Sequence, residues 1–171
     1  ELYDAARIED YFVQQVSVDK DLAKVNNILE VKSVVDVPQQ AEVTLVYSYK
    51  DGEKVTERKM VTLQPGCNKV NIPVEIANPH LWMPNGWGEA ALYDFEIAVK
   101  VDGQVVASEK KRVGLRTVKV VMEDDKDGKA FYFVVNGQPM FAKGSNFSPN
   151  DALLPNVTTG RYRQLMKDVK D

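Results

Sequence analysis

Short alternating segments are the feature that most constrains how this chain can fold. Hydrophobic residues recur at every second position with polar residues between them, and no helical periodicity is present before about residue 120. The clearest segment runs from Leu92 to Val101 and has Phe95 near its middle. A period of two places one row of side chains on a buried face and the other in solvent. Each segment therefore predicts a half-buried β-strand, and Phe95 is predicted to be a core residue.

Turn signals separate these segments. Asp51-Gly52 and Asp102-Gly103 favour hairpin turns, because Asp-Gly tolerates the positive φ that such turns need. Pro73 has no N–H to donate, so its segment is predicted to be an edge strand or to contain a bulge. The predicted strands are residues 8–18, 22–37, 43–49, 54–63, 70–76, 92–101 and 105–113. About seven short strands predict an all-β fold, an immunoglobulin-like β-sandwich over residues 1–120.

The loop between the fifth and sixth predicted strands contains both tryptophans, Trp82 and Trp87. Four prolines and glycines within it exclude a regular helix or a long strand. A loop this stiff and aromatic is predicted to pack against a neighbouring part of the protein. The alternative is that the two rings stack on a sugar, as aromatic platforms do in carbohydrate-binding modules. We favour the packing interpretation.

The pattern changes after residue 120. Residues 123–128 are rich in acids and predict a solvated turn; a calcium loop is not favoured, because its twelfth position is Val134 rather than Glu. Residues 131–135 and 138–143 predict a hairpin around Asn136-Gly137. Residues 159–171 predict a helix with one apolar stripe, formed by Tyr162, Leu165, Met166 and Val169. We expect a neighbouring molecule to cover that stripe.

Several motifs resemble a known family, and they follow its order. They are Pro-His-Leu-Trp-Met-Pro-Asn-Gly-Trp-Gly at 79–88, Leu-Tyr at 92–93, Arg-Val-Gly-Leu-Arg-Thr at 112–117, Phe-Tyr-Phe at 131–133 with Asn136-Gly137, Phe-Ala-Lys-Gly-Ser-Asn-Phe at 141–147, and Leu-Pro at 154–155 before Arg161-Tyr162. This set resembles the immunoglobulin-like domain of glycoside hydrolase family 2 and matches its β-mannosidase branch best. The resemblance covers about half of the chain.

The resemblance implies a domain order and a function. Residues 121–143 would form a connecting hairpin and the first strand of a catalytic (β/α)8 barrel, and residues 144–171 a truncated barrel loop and first helix. The parent would be a retaining exo-glycosidase that releases β-linked mannose. In the family both catalytic glutamates come from later barrel strands, so we assign no catalytic residue and no cofactor. The fragment is expected to be an inactive spacer. The absence of Met at Glu1 suggests that the chain is excised from something longer.

Three alternatives stay open. The chain could be an independent carbohydrate-binding module, an adhesion-type immunoglobulin-like domain, or part of a β-galactosidase or β-glucuronidase of the same family. The resemblance places Asn146, Phe147 and Asp151 near the substrate of the parent. Phe147 stands where β-mannosidases usually have Trp, so it keeps a stacking surface and loses the indole N–H donor.

Trp82, Trp87, Arg112 and Arg116 are interpreted as structural or domain-interface residues. Both arginines are expected to pair with acids on neighbouring strands, such as Asp94, Glu96 or Glu109, although either could bind an anion.

Composition restricts the partners. The net charge is −3 with no basic stripe, so neither nucleic acid nor an anionic membrane is an expected partner. The single cysteine, Cys67, excludes an intramolecular disulfide, and the single histidine, His80, predicts no metal site. The expected partners are other domains of the parent, with a β-mannoside as the parent's substrate and self-association through the exposed C-terminal helix. No signal peptide is recognised, and bacterial periplasm and cytoplasm both remain open.

Overall fold

The computed structural model describes residues 5–144, 146–148 and 151–170. They form two compact units, Glu1–Met140 and Phe141–Asp171. The strands are β1 Ala6–Val18, β2 Leu22–Ser33, β3 Gln39–Tyr49, β4 Val55–Leu63, β5 Gly66–Ala77, β6 Tyr93–Val101, β7 Gln104–Val113, β8 Val118–Asp125, β9 Gly128–Val135 and β10 Gln138–Met140. One α-helix, α1, spans Thr159–Lys170, and a short 3₁₀ turn precedes it at Leu154–Asn156.

The first seven strands form a sandwich of two antiparallel sheets. One sheet has the order β1-β2-β5 and the other β4-β3-β6-β7. The inward residues of both sheets make one continuous core, which confirms the predicted all-β sandwich. Phe95 is 1% exposed at its centre and stacks on Tyr47 with a centroid distance of 5.6 Å. The alternation thus correctly predicts the buried face of β6.

Both edges of the β1-β2-β5 sheet are interrupted. β5 is an edge strand, as Pro73 predicted, and Pro73 lies opposite Asn26 of β2. β1, the other edge of the same sheet, changes register between Ile8 and Asp10 and again between Gln15 and Ser17. A β-bulge bends a strand and leaves one residue unpaired, so these edges depart from regular strand geometry.

Two local expectations are wrong. The strand predicted over residues 22–37 ends at Ser33, because the chain bends at residues 35–37 as it crosses to the opposite sheet, and Val37 is 64% exposed. In the turn after β3 the positive φ, 51°, belongs to Lys50 rather than to Gly52.

A third sheet follows the sandwich, with the order β10-β9-β8. The predicted hairpin around Asn136-Gly137 is present, with positive φ at both residues (50° and 79°), which only a few residue types adopt readily. Two expectations are corrected here. Glu123 and Asp124 belong to β8 and pair with Ala130 and Lys129, so the acidic turn is shorter than predicted. The strand predicted over residues 138–143 ends at Met140.

The C-terminal unit contains α1. The Thr158 hydroxyl accepts a hydrogen bond from the N–H of Arg161 at 3.3 Å and caps the helix. Tyr162, Met166 and Val169 are exposed, and Leu165 is half-buried. Cover for this stripe by a neighbouring molecule stays a prediction.

Candidate functional site

The aromatic loop between β5 and β6 is held to the sandwich by backbone hydrogen bonds. The N–H of Trp82 donates to the carbonyl of Leu115 at 2.9 Å, and the N–H of Met83 donates to the carbonyl of Glu89 at 2.8 Å. The first contact joins the loop to the segment that follows β7, and the second closes the loop upon itself. The loop is therefore a fixed part of the sandwich end, which suits its content of proline and glycine.

The Trp82 ring is enclosed by the segment after β7. A Cβ placed on Gly114 would lie 2.6 Å from Cγ of Trp82, so only glycine lets the ring approach the backbone this closely. The guanidinium of Arg116 lies 4.8 Å from the ring centroid, within the range of a cation–π contact. The Arg116 Nη1 also donates to the Gly114 carbonyl at 3.0 Å. Backbone and cation together fix the ring.

Asn136, in the β9–β10 turn, connects the third sheet to this loop. Its Nδ2 donates to the carbonyl of Trp82 at 2.9 Å and contacts Sδ of Met83 at 3.2 Å. Its Oδ1 accepts from the N–H of Thr117 at 2.9 Å, and its own N–H donates to the Thr117 carbonyl at 3.1 Å. One amide side chain thus links the sandwich end, the segment before β8 and the hairpin turn.

Gln15 of β1 completes the connection from the other sheet of the sandwich. Its Nε2 donates to the Gly114 carbonyl at 3.3 Å, and its Oε1 accepts from the N–H of Arg116 at 2.8 Å. Gln15 stands at the second register change of β1, and a bulge of this kind re-aims a side chain relative to a regular strand. We call Gln15, Trp82, Gly114, Arg116 and Asn136 the junction cluster.

The other end of the aromatic loop contacts β3 and β6. The His80 ring stacks on Tyr49 at 4.0 Å, and the His80 N–H donates to the Tyr93 hydroxyl at 2.9 Å. Glu89 accepts from the Tyr49 hydroxyl and from Lys50 Nζ, each at 2.7 Å. The hydrogen bond from Lys50 lowers the pKa of Glu89, and the hydrogen bond from Tyr49 lowers it by a smaller amount. These contacts hold the loop and leave His80 with a packing role.

The other predicted interface residues have different surroundings. Arg112 Nε lies 3.1 Å from the Asp94 carboxylate on β6, which is one of the predicted cross-strand pairs. Arg116, expected to pair with an acid as well, stacks on Trp82 because the aromatic loop folds back beneath it. Trp87 is 45% exposed at the tip of the loop, where its N–H donates to the Pro84 carbonyl.

The three substrate-proximal candidates lie in the C-terminal unit. Asn146 is exposed, and Phe147 is 53% exposed. The Asp151 carboxylate accepts a hydrogen bond from the Leu153 N–H at 2.9 Å, which is a local turn contact. Their role near a substrate stays a prediction.

The displaced carboxyl pKa values in the described residues do not have the direction that a general acid needs. The pKa of Asp19 is lowered by N–H groups of Leu22 and Asp21, and that of Glu42 by hydrogen bonds from Lys100 and Thr44. A glycosidase acid has a raised pKa. Among the described residues no group of three or more His, Cys, Asp or Glu is placed to hold a metal ion, and no helix has the length and hydropathy to cross a membrane.

The sequence interpretation did not identify Asn136, Gly114 or Gln15 as site residues. The sequence predicts Asn136-Gly137 as a turn and places it and Gly114 in family motifs without a contact for either, and Gln15 carries no signal. Most of their partners are distant in sequence, from 19 positions for Asn136 and Thr117 to 101 for Gln15 and Arg116, and no local pattern encodes such contacts.

Comparison with known proteins gives three consistent matches. The model of the family described as glycosyl hydrolases family 2 matches residues 6–116. A β-mannosidase B of Aspergillus clavatus is 35% identical over 160 residues, which are 93% of this chain and 18% of that protein. The crystal structure of a β-D-mannosidase from Dictyoglomus thermophilum superimposes with a TM-score of 0.90 at 31% identity and covers 99% of this chain and 21% of that one.

A more distant structure shares the fold alone. A β-glucuronidase of Bacteroides uniformis has a TM-score of 0.81 at 18% identity over 98% of this chain. The chain spans about a fifth of the length of each of these proteins.

Proposed function

Because this chain belongs to glycosyl hydrolases family 2 and is β-mannosidase-like, we propose that it is the non-catalytic β-sandwich part of an enzyme that releases terminal β-mannose. The observation that carries the proposal is the extent of the match. The similarity to a β-mannosidase runs through 93% of this chain and accounts for 18% of that enzyme. The remaining length of such an enzyme is where the catalytic groups are proposed to lie.

The chemistry of retaining glycosidases supports this division. One carboxylate attacks the anomeric carbon and a second carboxyl group, ~5–5.5 Å away, acts first as acid and then as base. The acid needs a raised pKa, whereas Asp19, Glu42 and Glu89 have lowered ones and already bond to structural partners. None of these three carboxylates therefore has the raised pKa of the general acid, and each is bonded to a turn, a strand neighbour or the aromatic loop.

The contribution of the chain is then positional. The sandwich has a continuous core, and the junction cluster ties its end to the third sheet through Trp82 and Asn136. A spacer of this kind holds neighbouring parts of an enzyme at a fixed separation. Asn146, Phe147 and Asp151 are proposed to approach the substrate, with Phe147 as an apolar surface for a sugar ring.

Two activity measurements test the proposal. The isolated chain should release no nitrophenol from p-nitrophenyl β-mannoside above the buffer blank, even at high protein concentration. A chimera, in which this chain replaces the matching stretch of the Dictyoglomus thermophilum β-mannosidase, should hydrolyse the same substrate. Turnover by the isolated chain that persists through repurification would contradict the spacer role, and a folded but inactive chimera would contradict the β-mannosidase assignment.

A carbohydrate-binding module is the second candidate, and the exposure of Trp87 favours it. Trp87 is 45% exposed and could stack on a sugar, whereas Trp82 is already enclosed by Gly114 and Arg116. Titration with mannose and manno-oligosaccharides, followed by tryptophan fluorescence, separates the two roles. The spacer role predicts no saturable change, and a change lost in Trp87→Ala would support the module.

A further inference from the structure

One face of the third sheet is built from hydrocarbon and thioether side chains. Residues directly opposite in an antiparallel pair share a face, and Val118 pairs with Val135, Val120 with Phe133, and Met122 with Phe131. Met140 of β10 pairs with Phe133 and extends the same row. We call this set the apolar face: Val118, Val120, Met122, Phe131, Phe133, Val135 and Met140.

Much of the apolar face is exposed. Val135 and Met140 are buried at the end near the Asn136 turn, but Val118 and Val120 are each 50% exposed. Met122 is 70% exposed and Phe131 is 64% exposed. The opposite face differs in exposure, since Val121, Ala130, Tyr132 and Val134 there are half-buried and its exposed residues, Lys119 and Glu123, are charged. Contiguous exposed apolar side chains of this kind mark a surface that binds another surface.

The chemistry of the apolar face restricts its occupant. The side chains between its two ends offer neither hydrogen-bonding groups nor charge, and the polar residues are at the ends, where Lys129 Nζ lies 3.9 Å from the Asp124 carboxylate. A sugar site needs convergent polar groups, and a nucleic-acid site needs cations. The occupant is therefore an apolar protein surface.

We propose that the apolar face docks against the remaining, catalytic region of the enzyme to which this chain contributes, an inference that rests on the proposed function. The matched relatives carry about four fifths of their length outside the stretch that resembles this chain. A contact within one polypeptide is favoured by a high effective concentration and needs little area. A stable dimer buries on the order of 800 Å² per partner. The four exposed side chains offer less area than this, because each is only 50–70% exposed and a whole aromatic residue buries roughly 150–250 Å².

A matched pair of substitutions tests the docking. Met122 is 70% exposed on the apolar face, and Met60 is 65% exposed on β4 of the sandwich, so Met122→Lys and Met60→Lys are equivalent in chemistry and exposure. Each is placed in the isolated chain and in the Dictyoglomus thermophilum chimera. Thermal melting of these four variants and of the two unsubstituted proteins, and light scattering of the isolated chains, are measured.

The expected result is specific to one combination. Met122→Lys should lower the melting temperature of the chimera by about 4 °C or more, and Met60→Lys should change it by less than about 1 °C. Both isolated variants should melt as the unsubstituted chain does, because both side chains are solvated there. Docking then explains why the same lysine matters only when the rest of the enzyme is present.

Other outcomes overturn the inference. Equal melting of the two chimera variants means that the rest of the enzyme does not cover the apolar face. A dimer of the isolated chain that Met122→Lys dissociates and Met60→Lys does not assigns the face to a second copy. A chimera that folds without hydrolysing the β-mannoside overturns the proposed function alone, because its melting can still be compared. A chimera that cannot fold overturns both.

Discussion

Phe95 on β6 and Phe131 on β9 are both phenylalanines within strands, in two regions with opposite outcomes. Phe95 in the sandwich is 1% exposed, and Phe131 in the third sheet is 64% exposed. In the sandwich two sheets supply each other's cover, whereas the third sheet has no second layer over Met122 or Phe131 in the part of the chain described. Alternation tells which face of a strand is apolar, but not which molecule covers it.

The largest loss of stability is expected from a substitution in the sandwich. Phe95→Ala empties a fully buried site and should reduce the free energy of unfolding by about 3–5 kcal/mol. Denaturant unfolding of the isolated chain measures the loss. A reduction below about 1 kcal/mol would show that β6 is not central to the core.

The connection between the two regions is the next place to perturb. Gly114→Ala puts a Cβ 2.6 Å from Cγ of Trp82, so ring or backbone must move, and the free energy of unfolding should fall by about 1–3 kcal/mol. The matched control is Gly144→Ala, because a Cβ at Gly144 meets nothing within 4 Å. Equal stability of the two variants would mean that the junction cluster yields without cost.

A smaller loss of stability is expected from breaking a buried polar pair in the sandwich. The Tyr11 hydroxyl donates to Oδ1 of the buried Asn27 at 2.7 Å, and Nδ2 of Asn27 donates to the Ile72 carbonyl at 3.2 Å. Tyr11→Phe leaves Oδ1 without this donor and should cost about 1–2 kcal/mol. Urea unfolding at neutral pH measures the cost, and an unchanged midpoint would contradict it.

The same substitution should change the pH dependence of stability. Burial raises the pKa of Tyr11 above its ordinary value of 10.0, so the folded chain keeps the phenol neutral where the unfolded chain ionises. That contribution is complete below pH 10 and is lost as pH rises further. Stability between pH 10 and 11 should therefore fall less steeply in Tyr11→Phe, with the remainder due to Tyr47 and Tyr93, whose pKa values burial also raises.

The smallest effect is expected from the counterpart of Phe95. Phe131→Ala removes a ring that is 64% exposed and has an edge contact with Phe133 at 6.0 Å, so the isolated chain should lose less than about 1 kcal/mol. The difference between the two Phe→Ala variants measures how far the two regions diverge. Similar losses would mean that the third sheet is covered within this chain.

The fold was largely predictable because its strands are locally encoded. Phe95 and its neighbours alternate cleanly, and the Asn136-Gly137 turn was recognised from two residues. β8 was missed although Val118, Val120 and Met122 alternate with Lys119, Val121 and Glu123. The acids at 123–125 resemble a solvated turn, and only pairing with β9 shows that they extend a strand.

The junction cluster was predictable only in part. Trp82 stood out as a stiff aromatic site, but its contacts with Gly114 and Arg116 arise when two distant loops meet. Arg116 is expected from its sequence to pair with an acid, and its contact with an aromatic ring depends on which loop packs against it. Such contacts form only when the sandwich end is assembled, and the sequence of either segment alone does not predict them.

The interrupted sheet edges determine how this protein can self-associate. Pro73 removes a donor from one edge, and the two irregularities of β1 disturb the other. On the second sheet, β4 carries Arg58 and Lys59 and β7 carries Lys110 and Lys111. Strand-by-strand growth into fibrils requires a regular, uncharged edge. The sandwich edges should therefore resist strand-by-strand growth into fibrils in concentrated solution, even though apolar side chains elsewhere remain in contact with water.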